Sequence, residues 1–221
     1  MKLKICGMKY VDNIQKVADL NPDYLGFIFY EKSKRNFEGI IPEIPKSIKK
    51  IGVFVNEIPE LLVSLVEEYD LQAIQLHGDE SVEYIQKLKL LFEESRKEMS
   101  RKAKGKLKTV EIIKVFGIKD EFDFNSLEAY EDIVDFFLFD TKGKERGGNG
   151  VTFNWQILNK YTSKKPFFLS GGIGLEEVDE VNKILKTDLP IYALDVNSKF
   201  ETRPGLKSIG DIKKFTKEIN K

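Results

Sequence analysis

Short apolar runs recur along the chain and are separated by polar segments. Most are almost continuously apolar, which is typical of strands that are covered on both faces in a parallel sheet. The predicted strands cover eight stretches, at 2–6, 24–29, 50–55, 73–77, 110–116, 135–140, 166–171 and 191–196.

The segments between the strands carry apolar residues at helical spacing. Such stripes lie within 11–18, 61–66 and 178–185. Strands that alternate with helical connectors predict βαβ units throughout and therefore an α/β fold. The eight units could form an open, doubly wound sheet or a closed (βα)8 barrel. Their number, and the lack of a dinucleotide fingerprint after the first strand, favour a single-domain TIM barrel over 1–221.

One interval between strands is longer than the others. It contains FEESRKEMSRKAKGKLK at 92–108, which predicts a basic-rich helix and loop extension before the fifth strand. Its default interpretation is a solvated extension of a helix.

Composition excludes several classes of protein. The chain has 221 residues, with 36 Lys and Arg against 36 Asp and Glu, so no net field favours nucleic acid or anionic lipid. No stretch is typical of a signal peptide, and no apolar run reaches the roughly 18 residues of a membrane span. We expect a cytoplasmic protein without nucleic-acid or membrane partners, as a monomer or a homodimer.

Several strands end in polar or reactive side chains. In a barrel of parallel strands the carboxyl ends gather on one rim, where the active site of this fold lies. The chain has a single cysteine, which excludes an internal disulfide and leaves either a buried apolar role or a reactive one. The groups at strand ends are Cys6, Gln75, His77, Asp140, Asp195, Asn197 and Ser198.

Two loops near the end of the chain suit a phosphate group. LSGGIG at 169–174 joins a strand to a helix through consecutive glycines, whose backbone lets N–H groups approach an anion. DVNSKFETRPG at 195–205 follows the last strand. Phosphate sites between the seventh and eighth βα loops are frequent in TIM barrels.

Two further loops have features of a substrate site. FDTKGKERGGNG at 139–150 is long, charged and glycine-rich, which suggests a flap over the rim. YEKSKRNF at 30–37 places Arg35 after the second strand, where its guanidinium could clamp a substrate carboxylate.

Six motifs occur in order from the first strand to the last helix. They are KICGM, GFIFYEKSKRN, QLHGDE, LFDTKGKERGGNG, FFLSGGI and LDVNSKFETRPGLK. Together they resemble the phosphoribosylanthranilate isomerase family of tryptophan biosynthesis. The resemblance implies a (βα)8 barrel that catalyses an Amadori rearrangement of a phosphosugar substrate without metal or organic cofactor.

The resemblance also implies roles for individual residues. Cys6 corresponds to the general base, Asp140 to the general acid, and Arg35 to the residue that holds the anthranilate carboxylate. Asp195 lies where a sugar hydroxyl would be met, and we expect His77 to organise the rim. The phosphate-holding loops correspond to Gly171, Gly172, Asn197 and Ser198.

This sequence departs from the family pattern near the phosphate loops. SGGI stands where AGGL is commoner, GGNG replaces GGTG, and DVNSKFE replaces DVSSGVE, so Asn197 takes the place of a serine and Lys199 that of a glycine.

A thiol acts as a base only when it is ionised, and an ordinary cysteine has a pKa of about 8.5. Lys4 lies two residues before Cys6 on the same strand face, so both side chains should point into the barrel. We predict that Lys4, with Lys114 from the fifth strand, lowers the pKa of Cys6. Salt bridging inside the barrel is a compatible role for Lys4.

Other functions compete with this interpretation. Another phosphosugar enzyme, such as an epimerase or the related histidine-pathway isomerase, shares the fold, but the latter has an aspartate where this chain has Cys6. A silent barrel that binds a partner through 92–108 is a second alternative, and nucleic-acid binding through the same basic segment is a third. That segment has no aromatic residue except Phe92 for base stacking.

Overall fold

The chain forms a closed barrel of eight parallel strands in sequence order, β1 to β8. The computed structural model describes residues 1–102, 109–119, 121–141 and 153–219. Each predicted strand is present within two residues of its predicted bounds at either end. The strands are β1 (Lys2–Ile5), β2 (Tyr24–Phe29), β3 (Lys49–Phe54), β4 (Ala73–Leu76), β5 (Glu111–Ile118), β6 (Phe136–Thr141), β7 (Phe167–Leu169) and β8 (Ile191–Val196).

Helices pack around the barrel, but not after every strand. The α-helices are α1 (Val11–Ala18), α2 (Pro59–Glu68), α3 (Val82–Lys102), α4 (Val178–Ile184) and α5 (Ile209–Ile219). In the described parts of the connections after β5 and β6, the helices are 3₁₀ helices, Phe124–Tyr130 and Trp155–Lys160.

The prediction of βαβ units throughout is wrong for the connection between β2 and β3. Residues 30–48 contain no helix, and their described contacts include a bridge between Ile28 and Asn36. Pro42 and Pro45 lie in this segment, and proline both removes a backbone donor and clashes with the preceding helical turn. The segment therefore follows an irregular path that carries Arg35.

Two separate hydrophobic cores hold the barrel. The larger lies between the outer faces of the strands and the helices. The smaller fills the barrel interior and receives side chains from β2 to β8, whereas β1 contributes a fully buried lysine, Lys4. The interior cluster contains Tyr24, Ile51, Ala73, Ile113, Val115, Leu138, Phe168 and Ala193.

A small antiparallel hairpin follows β8. Its strands are β9 (Glu201–Arg203) and β10 (Leu206–Lys207), and Gly205 turns between them at φ 83°. A side chain at that φ would be strained, and an added Cβ would lie 2.7 Å from Lys9 Cβ. The hairpin returns the chain towards the rim of the barrel.

Two predicted segments are only partly described. Helix α3 continues to Lys102 and so includes the first part of the 92–108 extension, whereas 103–108 lie outside the described residues. Residues 142–150 of the predicted flap also lie outside them. No helix in the described ranges is long and apolar enough to cross a membrane.

The interior cluster generates a stability prediction. Phe168 is fully buried, with its ring 5.5 Å from those of Tyr24, Phe136 and Tyr192. Phe168→Ala should lower the free energy of unfolding by about 3–5 kcal/mol because it leaves a cavity. Leu90→Ala, at a side chain that is 61% exposed on α3, is the control and should change it by less than about 1 kcal/mol. Urea unfolding measures both, and equal effects would contradict the assigned interior packing.

Candidate active site

The polar side chains at the strand ends lie on one rim of the barrel. Cys6 follows β1, His77 follows β4, Asp140 lies near the end of β6, and Asp195 near the end of β8. Because the eight parallel strands close into one barrel, these strand ends lie on the same rim, so the thiol and the carboxyl share one site.

Lys4 joins three strands just below this rim. Its ammonium donates to Asp195 Oδ1 at 2.9 Å, on the neighbouring strand, and to Gln75 Oε1 at 2.7 Å, across the barrel interior. The pKa of Lys4 lies above its ordinary value: burial lowers it, but Asp195 and Cys6 together outweigh that effect. Lys4 is therefore a buried ammonium whose charge is balanced inside the barrel.

A chain of polar contacts runs from Lys4 towards Asp140. Gln75 Nε2 lies 2.8 Å from His77 Nδ1, and His77 Nε2 lies 3.5 Å from Asp140 Oδ2. Gln75 lies on β4 and His77 directly follows that strand, two residues further on, so both side chains face the interior. The predicted rim position of His77 thus places its ring beside the candidate acid.

The carboxyl of Asp140 is held from a second side. Its Oδ1 accepts a hydrogen bond from the Thr141 N–H at 2.8 Å. Gly171 packs against it with φ 92°, and a Cβ there would lie 2.7 Å from Thr141 N and 3.2 Å from Asp140 Oδ1. Glycine at this position leaves space for the carboxyl.

Cys6 occupies a tight, buried slot. An added Cβ on Gly26 of β2 would lie only 2.8 Å from the Cys6 sulfur. Burial raises the pKa of the thiol; Lys4 lowers it, Asp195 raises it and Lys207 lowers it, and the net pKa is above the ordinary value.

The sequence prediction about Cys6 is therefore only partly right. Lys4 does lower the pKa of the thiol, but burial outweighs it. Lys114 is not the second cation, because its ammonium bonds Glu80 Oε2 and the Gly78 carbonyl, each at 2.8 Å. Lys207 is the second cation that lowers the pKa of Cys6. Burial lowers the pKa of Lys207 itself to about 8.

Arg35 is fixed by an ion pair with the hairpin after β8. Its Nη2 donates to Glu201 Oε2 at 2.7 Å, and its Nε donates to Glu201 Oε1 at 2.9 Å. Lys207 donates to the same carboxylate at 2.7 Å. Although burial raises the pKa of Glu201, Arg35 and Lys207 together hold it below the ordinary range.

Asn197 belongs to this cluster rather than to the glycine loop. Its Oδ1 accepts from Lys207 Nζ at 2.7 Å, and a Cβ on Gly7 would lie 2.7 Å from the same oxygen. The side chain of Asn197 thus packs beneath the turn that follows Cys6.

The two predicted phosphate loops lie side by side. Gly171 and Gly172 both have positive φ, at 92° and 65°. Lys199, beside Ser198, pairs with Glu177, and its side chain packs over Gly174, where a Cβ would lie 2.6 Å from Lys199 Cδ. In the described part of the chain, no group of three or more His, Cys, Asp or Glu side chains is arranged to hold a metal ion.

The sequence interpretation missed three residues of the site. Glu201 and Lys207 lie 4 and 10 positions beyond Asn197, and only the hairpin brings them back to the rim. Gly26 lies inside a predicted strand, where an isolated glycine signals a close approach of another group. The sequence therefore does contain a local signal for the close approach of Cys6 to Gly26.

Comparisons with known proteins identify the family of this chain. The family model described as N-(5'phosphoribosyl)anthranilate (PRA) isomerase matches residues 3–97 and 95–218. The N-(5'-phosphoribosyl)anthranilate isomerase of Phocaeicola vulgatus is 37% identical over 220 residues, which cover 99% of this chain and 98% of that protein.

Solved structures show the same architecture. The phosphoribosyl anthranilate isomerase of Thermotoga maritima has a TM-score of 0.77 and 28% identity, over 100% of this chain and 98% of that chain. The same enzyme type in complex with reduced 1-(o-carboxyphenylamino)-1-deoxyribulose 5-phosphate has a TM-score of 0.74 and 27% identity, with the same coverage. This chain therefore belongs to the N-(5'-phosphoribosyl)anthranilate isomerase family.

Proposed function

We propose that this enzyme converts N-(5'-phosphoribosyl)anthranilate into 1-(2-carboxyphenylamino)-1-deoxyribulose 5-phosphate, a step of tryptophan biosynthesis. The proposal depends above all on one observation, the shared rim position of the Cys6 thiol and the Asp140 carboxyl in a chain of this family. The reaction needs one proton donor and one proton acceptor, so we propose that it proceeds without a cofactor.

Asp140 is the proposed general acid. It protonates the ring oxygen of the ribose, so that the furanose opens to an iminium. The Thr141 N–H at Oδ1 and the His77 ring near Oδ2 support the carboxylate that is left behind.

Cys6 is the proposed general base. Its thiolate removes the proton from the carbon next to the iminium, which gives an enolamine that tautomerises to the ketone. One proton is supplied and one is taken, so the rearrangement is balanced. Lys4 and Lys207 stabilise the thiolate against the cost of burial.

Arg35 is the proposed anchor for the anthranilate carboxylate. Its bonds to Glu201 use Nε and Nη2, which orients the planar guanidinium, and we propose that Nη1 is the nitrogen that binds the carboxylate. Gly171, Gly172 and Ser198 are the proposed phosphate-binding groups, because consecutive glycines with positive φ present successive N–H groups to an anion. Asp195 is the proposed partner of a sugar hydroxyl, and Asn197 supports the loop through Lys207.

We propose a cytoplasmic enzyme that acts on a phosphosugar as a monomer or homodimer, without a nucleic-acid partner. A base that works as a thiolate needs a compartment in which it stays reduced, which supports this location.

The acid–base roles predict large effects on turnover. Cys6→Ala and Asp140→Asn should each lower kcat at least about 100-fold, as expected for removal of a general acid or base. The assay generates the substrate from anthranilate, phosphoribosyl pyrophosphate and the transferase, and follows loss of the fluorescent adduct. Asp188→Asn, at an exposed aspartate, is the control. Circular dichroism checks the fold, and near-normal turnover in Cys6→Ala would exclude the base assignment.

The effect of Lys4 on Cys6 can be measured directly. Because burial holds the thiol pKa above its ordinary value, activity should rise as the pH increases through that pKa and the thiolate forms. Lys4→Met removes a cation and should raise the pKa further. The chain has one cysteine, so carbon NMR of labelled cysteine follows a single titration. Lys87→Met, on an exposed surface, should leave the pKa unchanged. Equal thiol pKa values in Lys4→Met and the wild type would refute the role.

Loss of the carboxylate anchor should affect binding more than chemistry. Arg35→Met removes a charge-assisted hydrogen bond worth about 1.5–3 kcal/mol, so KM should rise roughly tenfold or more. Ribose 5-phosphate, which lacks the carboxylate, should inhibit the variant and the wild type about equally. Arg203→Met is the matched control, because this exposed arginine stacks on Tyr10 instead. An unchanged KM in Arg35→Met would contradict the assignment.

A further inference from the structure

The contacts of Gln75 determine which nitrogen of His77 carries the ring proton. Gln75 is 1% exposed and lies between Lys4 and His77, with polar contacts of 2.7 Å and 2.8 Å on its two sides. A side-chain amide has one accepting end and one donating end. The orientation of the Gln75 amide therefore determines whether each neighbour donates or accepts the hydrogen bond.

Lys4 fixes that orientation. An ammonium group only donates hydrogen bonds, so the Gln75 atom that faces it must be the carbonyl oxygen. Reversing the amide would place an NH₂ group 2.7 Å from the ammonium, with donors facing donors. The donor-only ammonium of Lys4 thus determines which end of the Gln75 amide is the oxygen.

The orientation of Gln75 then fixes the tautomer of His77. The NH₂ group at 2.8 Å from Nδ1 can only donate, so Nδ1 must be the bare, accepting nitrogen. In a neutral imidazole the proton then lies on Nε2. That nitrogen lies 3.5 Å from Asp140 Oδ2.

We propose that Gln75 is a positioning residue that holds His77 in the tautomer with its proton on Nε2, with Lys4 fixing the direction of the amide. The Nε2–H donor faces the carboxyl that becomes negatively charged when it protonates the substrate. At 3.5 Å the contact is longer than a normal N–H···O bond, so it has room to shorten as that charge develops. The catalytic consequence rests on the proposed role of Asp140 as the acid.

The test uses the fact that His77 is the only histidine in the chain. Nitrogen NMR of the full-length protein with labelled histidine gives one pair of ring signals, in which protonated and bare nitrogens are well separated. The wild type should show a proton on Nε2 and a bare Nδ1. A wild-type spectrum with the proton on Nδ1 would overturn the proposal, whatever the activity.

Gln75→Glu tests the role of the amide. A carboxylate still accepts from Lys4 but also accepts from Nδ1, so a proton should move onto Nδ1 and kcat should fall roughly tenfold or more, with a smaller change in KM. Gln86→Glu, on the exposed face of α3, is the matched control and should keep the wild-type spectrum and turnover. A bare Nδ1 in Gln75→Glu, or a shifted proton with unchanged kcat, would refute the proposal.

Gln75→Met is a second, independent test of whether Gln75 selects the tautomer of His77, and it applies even if Gln75→Glu does not fold. Methionine has similar length but cannot select a tautomer by hydrogen bonding, so a mixture of the two tautomers is expected. A pure Nε2–H tautomer in this variant would contradict the role of Gln75. The experiments also separate this proposal from the proposed role of Asp140. Full activity in Asp140→Asn would refute Asp140 as the acid, but the tautomer of His77 in the wild type would still be read from its own ring signals.

Discussion

A lysine ammonium that has no contact with solvent must be compensated by the protein, and Lys4 imposes this constraint on the whole upper half of the barrel. Removing one partner of a buried ion pair leaves an unpaired charge and is strongly destabilising. Asp195 on β8 and Gln75 on β4 are therefore held in place by the same ammonium. Two side chains of the reaction site thus take their positions from a charge that does not itself reach the rim.

The two halves of the site differ in their electrostatic surroundings. The thiol of Cys6 is influenced by the ammonium groups of Lys4 and Lys207, which favour its charged form against burial. The carboxyl of Asp140 has a backbone N–H and a histidine ring beside it instead. Because one buried polar network connects both halves, a change to its centre should alter the surroundings of the proposed acid and of the proposed base together.

The strand pattern predicted most of this fold, because strands buried on both faces leave near-continuous apolar runs. The rim positions of Cys6, His77 and Asp140 followed from closure of the sheet, since parallel strands bring their carboxyl ends together. The Lys4–Gln75 contact could not be predicted, because it crosses the barrel and depends on the stagger of non-adjacent strands. Glu201 lies beside Arg35 in a hairpin that turns at Gly205. The contact between two residues so far apart in the sequence could not be predicted from local sequence patterns.

The irregular connection between β2 and β3 sets the surroundings of Arg35 apart from those of Cys6 and Asp140. Arg35 lies on a segment that contains no helix. Cys6 and Asp140 lie at strand ends instead, where Gly26 and Gly171 pack so closely that neither has space for an added methyl group. Loops of this kind tolerate insertions and new side chains far better than barrel strands do. A substitution near the proposed carboxylate anchor should therefore disturb the fold less than one beside the proposed acid or the proposed base.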